Sequence, residues 1–188
     1  MTIHQLQVSY VTEQDRILVR LNTHAGEELR LWMTRRMVKN LFPRINEVAS
    51  ELVASQRPDS RHDGIDTRAL TQFKKRESLQ KADFSTPFDS QATVWPLGDA
   101  PLLATTLHIT PRGDGALRIV FEEKIAQAAA TRSFEVTLGQ DLLHGFLHLL
   151  ESALQHADWG ISLDQEEQRK ESSLEDFFAN TDAPRYLN

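Results

Sequence analysis

Two histidines on one predicted helix have the spacing of a metal site. His144 and His148 are one turn apart, and Asp141, Glu151 and Gln155 fall on the same narrow polar stripe at about 100° per residue. Imidazoles four residues apart can share one ion, and Glu151 could add a third ligand. Gly145 stands where a His-Glu-x-x-His metalloprotease carries its general base, so that chemistry is not written here. A stripe of this kind is more often the wet face of its helix, and no metal and no cofactor is assigned to the chain.

Arginine and tryptophan make a second group. Arg20, Arg30 and Trp32 share one face of two predicted strands, with Gln5, Gln7 and Ser9 beside them. Guanidinium groups around an exposed aromatic can hold single-stranded nucleic acid by phosphate contact and base stacking. Arg35, Arg36 and Lys39 open the helix that follows and could meet phosphates or an acidic protein. Cations in a first turn oppose the helix dipole, which is mildly unfavourable and therefore suggestive. The competing reading is a solvated face with cross-strand pairs such as an arginine against Glu28, and Trp32 covered by a helix or a second subunit. A third group, Asp114 with Glu122-Glu-Lys124, resembles the metal-dependent centre of the restriction-endonuclease-like group. That resemblance implies two carboxylates on Mg²⁺ and an assisting lysine, hence a nuclease.

Periodicity places these residues on elements. Leu6, Val8 and Tyr10 alternate over 3–12, then Ile17, Val19 and Leu21 over 16–23, then Leu29, Leu31 and Met33 over 27–33. From Thr34, a fair N-cap, the apolar step lengthens to three and four through Val38, Leu41, Ile45, Val48 and Leu52. Pro43 inside that helix predicts a kink or break near Asn40–Phe42. The second half repeats the order, with strands around 103–109, 117–121 and 132–138 and a helix over 141–159. The expected architecture is α+β. Two strand–strand–strand–helix units, 1–56 and 94–160, form a two-layer antiparallel sheet with helices on one face. Residues 57–93 form a linker with a short polar helix around Leu70, Phe73 and Leu79, and 161–188 an acidic tail; residues 57–66 and 161–188 are expected to be mobile. The tandem order resembles the PC4 and Whirly class of single-strand binders in topology, which implies a nucleic-acid partner.

Composition limits the function. The net charge is −6, split as +2 over residues 1–93 and −8 over 94–188, which argues against a duplex-DNA binder. There is no cysteine, so thiolate metal sites, disulfides and cysteine nucleophiles are excluded. With no signal-like start and no apolar run of membrane-spanning length, a cytosolic setting is expected. The apolar arc of the second predicted helix is wider than one sheet contact needs, so Phe146, Leu150 and Leu154 are candidates for a homodimer interface or an intrachain helix contact. The sequence thus favours a non-enzymatic binding or assembly protein with an unidentified protein partner, ahead of a single-strand binder and a Mg-dependent nuclease.

Overall fold

A meander of three antiparallel strands opens the chain: β1 (Ile3–Val11), β2 (Arg16–Thr23) and β3 (Glu28–Thr34). A computed structural model describes residues 2–55, 67–126 and 131–161 of this protein. The register puts Val8 opposite Val19 and Val19 opposite Leu31, so the alternating apolar set of all three strands lines one face. Ile17, Leu31 and Met33 on that face are fully buried. The tight turns use Asp15 and Gly26, both at positive φ (48° and 76°), conformations that Asp tolerates and Gly adopts freely.

Helix α1 (Arg35–Ser55) starts where period two ends. Thr34 Oγ1 accepts from the Met37 N–H at 3.3 Å, the cap its hydroxyl suggests. The helix runs through Pro43 without a break. The carbonyl that loses its donor belongs to exposed Lys39, where water can reach it, and Asn46 Nδ2 donates back to the Phe42 carbonyl at 2.7 Å. Helix α2 (Thr67–Lys81) lies in the expected linker.

The next segment is a strap rather than a spacer. Residues 87–90 cross the outer side of the first sheet, where Gln5, Arg20 and Asn22 all bond to it. Residues 93–104 then run parallel to β3, through a bridge at Val94 and the short strand β4 (Leu102–Leu103). At Thr105 the chain changes sheets. Ala104 N–H still donates to Trp32 of the first sheet, whereas Thr105 N–H donates to Glu122 of the second. The second sheet holds β5 (Thr106–Pro111), β6 (Leu117–Glu123) and β7 (Arg132–Leu138), antiparallel in that order. Buried Glu123 holds the crossing point: it pairs with Arg132 at 2.5 Å and accepts from the Leu103 N–H at 3.0 Å, while Arg132 also donates to the carbonyls of Leu97 and Ala100.

The described residues therefore make a mixed α/β protein of two sheets, four- and three-stranded, with three α-helices. The expected antiparallel pairing is corrected at one place, the parallel β3–β4 contact, and the number of sheets, open from the sequence, is two among the described residues. One strand was expected around 103–109, and its alternation does not show that it changes partner midway.

Helix α3 (Gln140–Ala157) packs mainly on β1, the far strand of the first sheet, and on α2, so buried apolar residues of both halves form one cluster. Trp159 closes it. It is 4% exposed, its Nε1 donates to Asp15 Oδ1 at 2.7 Å, the Tyr10 hydroxyl shares that oxygen at 3.0 Å, and Arg35 donates to the Trp159 carbonyl at 3.0 Å. Among the described residues no helix is long and apolar enough to cross a membrane. The mobility expected for 57–66 and 161–188 lies, except for Ile161, outside the described residues.

Candidate functional site

The middle of the polar stripe of α3 is a seam, with Asp141 and Gln155 exposed at its ends. Asp141 and His144 both meet Ser78 of α2, Glu151 pairs with Lys75 at 3.3 Å, and His148 stacks edge-on against Phe84 at 5.2 Å between ring centroids. Helix α2 lies along the stripe and supplies a polar partner to most of it. That explains why α2 shows little apolar periodicity: its inward positions include Lys75 and Ser78.

His144, placed on solvent by its sequence pattern, is 2% exposed, and Ser78 is 3% exposed. Ser78 Oγ donates to Asp141 Oδ1 at 2.6 Å and lies 3.1 Å from His144 Nδ1. A hydroxyl has one proton. With it committed to the carboxylate, Oγ can only accept from the ring, so Nδ1 carries the hydrogen. Serine, histidine and aspartate are thus in contact in an order that activates no nucleophile: the histidine donates to the serine instead of taking its proton. Among the described residues no three potential ligands come together around a metal-sized space, and His144 and His148 face different partners.

Burial holds the His144 imidazole below its ordinary pKa. The positive charge of Lys75 adds to the effect, and Asp141 opposes it. A base whose folded pKa is lowered takes up more protons when unfolded, so stability rises with pH through that window. The expected result is a stability that is level above about pH 6.5 and falls as the solution is acidified below it. In His144→Gln this part of the slope should vanish in urea melts between pH 5 and 7.5. An unchanged slope would show that the imidazole is solvated.

Beside the seam an open cavity of about 430 Å³ is lined by Lys74, Glu77, Ser78, Lys81, Gln140 and Asp141, among others. Its two lysines share Glu77, at 3.4 and 2.9 Å, and Asp141 adds a second carboxylate. The charges balance, so the cavity selects neither an anion nor a cation.

The outer side of the first sheet is engaged within the chain. Arg20 Nε pairs with Glu28 at 2.6 Å, its guanidinium sits over Phe88 at 4.4 Å, and Glu28 is 3% exposed. Arg30 donates to the Asp99 carbonyl at 2.6 Å and lies 5.6 Å from the Trp95 ring centroid. Trp32 is half-buried. Arg35 is tied to Trp159, whereas Arg36 and Lys39 are exposed with no partner among the described residues. The cross-strand pair with Glu28 was legible in the sequence; the strap that covers the pair was not.

The nuclease-like constellation does not assemble. Asp114 caps the β5–β6 turn, accepting from Ala116 N–H at 3.1 Å. Glu122 lies at the other end of β6, roughly 20 Å away at about 3.3 Å per strand residue. There it pairs with Lys124 at 2.7 Å and His108 at 3.4 Å.

Phe146, Leu150 and Leu154 are 3%, 0% and 3% exposed. The wide arc of α3 is filled inside the chain by β1, α1 and α2. What remains open is α2 itself. Ala69, Gln72, Phe73, Arg76 and Gln80 recur at helical spacing and are all exposed, with Phe73 at 62% the most exposed large apolar side chain among the described residues. Arg76 has no partner among the described residues, and Lys74 and Lys81 border the stripe. Sequence reasoning grouped Phe73 with Leu70 and Leu79 as the apolar residues of a short polar helix. The run Phe73-Lys74-Lys75-Arg76 sets cations beside an aromatic; Lys75 turns inward to Glu151 and Lys74 shares Glu77 with Lys81, which leaves Arg76 as the unpaired cation of that run among the described residues. No family model, curated protein or solved structure matches this chain.

Proposed function

We propose that this chain is a non-enzymatic binding or assembly protein that takes an acidic, aromatic-bearing protein segment on the outer face of α2. One observation carries the reading: Phe73 stands exposed in the middle of α2 beside Arg76, which has no partner among the described residues, while Arg20, Arg30 and Arg35 are engaged within the chain. An apolar anchor with an unpaired guanidinium one helical turn away suits a partner that brings aromatic rings and carboxylates together. The cytosolic setting expected from the lack of cysteine belongs to this reading, as does any assembly of copies, which would use α2 instead of α3. The single-strand reading gains no support from Arg20 and Arg30, whose guanidiniums already have partners.

The test is selection from a displayed random-peptide library. Sequences enriched in Asp or Glu beside Phe, Leu or Trp are expected with the parent chain, and that enrichment should disappear with Phe73→Ser. Identical enrichment on both chains, or none on either, would reject the surface.

A further inference from the structure

The C-terminal sequence contains a segment of the chemistry that the α2 face fits. Residues 162–188 carry seven Asp or Glu against three Lys or Arg, net −4, and include Leu174-Glu175-Asp176-Phe177-Phe178. We propose that residues 174–178 occupy the outer face of α2 in the same chain, with the phenylalanines against Phe73 and the carboxylates toward Arg76 and Lys74. This rests on the reading of α2 as a docking surface and adds its regulation: the tail is a built-in competitor.

The geometry favours contact within one chain. Ser78 reaches Asp141 and His144 near the start of α3, whereas Lys75, earlier in α2, reaches Glu151. Moving back along α2 is therefore moving forward along α3, and the two helices are antiparallel. The described chain leaves α3 at Ile161, fixed by Trp159, on the side of the first half of α2. From the level of Glu151 to the end of α3 is about 9 Å, and crossing a helix adds about 10 Å. The twelve residues 162–173 can span about 40 Å, so the reach is ample. A tether of this length gives an effective concentration on the order of 1 mM, which makes a contact of only about 100 µM intrinsic affinity roughly 90% occupied.

Two measurements on the full chain test the proposal. The absence of native cysteine makes a designed pair clean. With the phenylalanines kept, Gln72→Cys with Ala179→Cys should oxidise to an intramolecular disulfide at least ten times faster than Ile125→Cys with Ala179→Cys, since Gln72 lies exposed beside Phe73 and Ile125 is exposed too, at 55%. Equal rates would overturn the proposal, and a bond joining two chains would assign the face to a second copy instead. The second readout is affinity for the library-selected acidic peptide, labelled with fluorescein. Phe177→Ser with Phe178→Ser should bind it about tenfold more tightly than the parent chain. Equal affinity would remove the tail from the face and leave the docking surface standing. Rapid disulfide formation with no peptide binding by either chain would keep the tail contact and retire the proposed function.

Discussion

Leu150→Glu is expected to unfold the protein, not to dissociate it. Leu150 is fully buried in α3, at the heart of a cluster that draws on both sheets. Truncating such a leucine to alanine typically costs 2–5 kcal/mol, and burying a carboxyl there without a partner adds several more. The sum is on the order of the whole stability of a domain, about 5–15 kcal/mol. Far-UV circular dichroism and a thermal melt check it: no cooperative transition should remain at 25 °C. A well-folded variant with lower mass by light scattering would show instead that this side of α3 joins two chains.

The second large effect is at Arg20. Removing it in Arg20→Ala leaves Glu28 almost fully buried and without its cation, and breaking such a pair by removing one partner costs about 3–5 kcal/mol. Arg20 keeps about a fifth of its surface in water, so the lower end of that range is expected. The double variant Arg20→Met with Glu28→Leu should recover much of the loss, because an apolar pair needs no counter-charge. Chemical denaturation of the parent, Arg20→Met, Glu28→Leu and the double variant gives the coupling directly. If Arg20 is a nucleic-acid contact instead, Arg20→Ala will melt like the parent and lose salt-sensitive affinity for single strands.

The strands and helices were legible because each buries one side. Val8, Val19 and Leu31 alternate against solvent, and Val38, Leu41 and Ile45 recur at helical steps, so period alone locates β1, β2, β3 and α1 within a residue or so. What period cannot show is which buried face meets which. Phe146, Leu150 and Leu154 advertise a wide apolar arc, but nothing in their spacing distinguishes β1 from a second copy as its cover. The seam with α2 was hidden for a different reason: Lys75 and Ser78 are inward yet polar, and an apolar pattern search passes over them. His144 was misplaced by the same logic, since a polar residue on a polar stripe reads as solvated until a second polar stripe is laid against it. The strap is held by side chains such as Gln5, Arg20 and Asn22 bonding to backbone carbonyls and a serine, contacts that leave little periodic trace.

The packing of α3 on β1 also sets the order in which the protein can be made. The first three strands are complete at residue 34, but α3 ends at residue 157, about 120 residues later. At roughly 5–20 residues per second of synthesis, the β1 side of that sheet waits about 6–25 s for its cover. A pairing of such long sequence separation forms late in refolding as well, because most of the chain must be looped before the contact can form. The newborn protein thus spends seconds with an alternating apolar face and the free edge of β1 unprotected, the condition under which nascent sheets recruit holdase chaperones or aggregate.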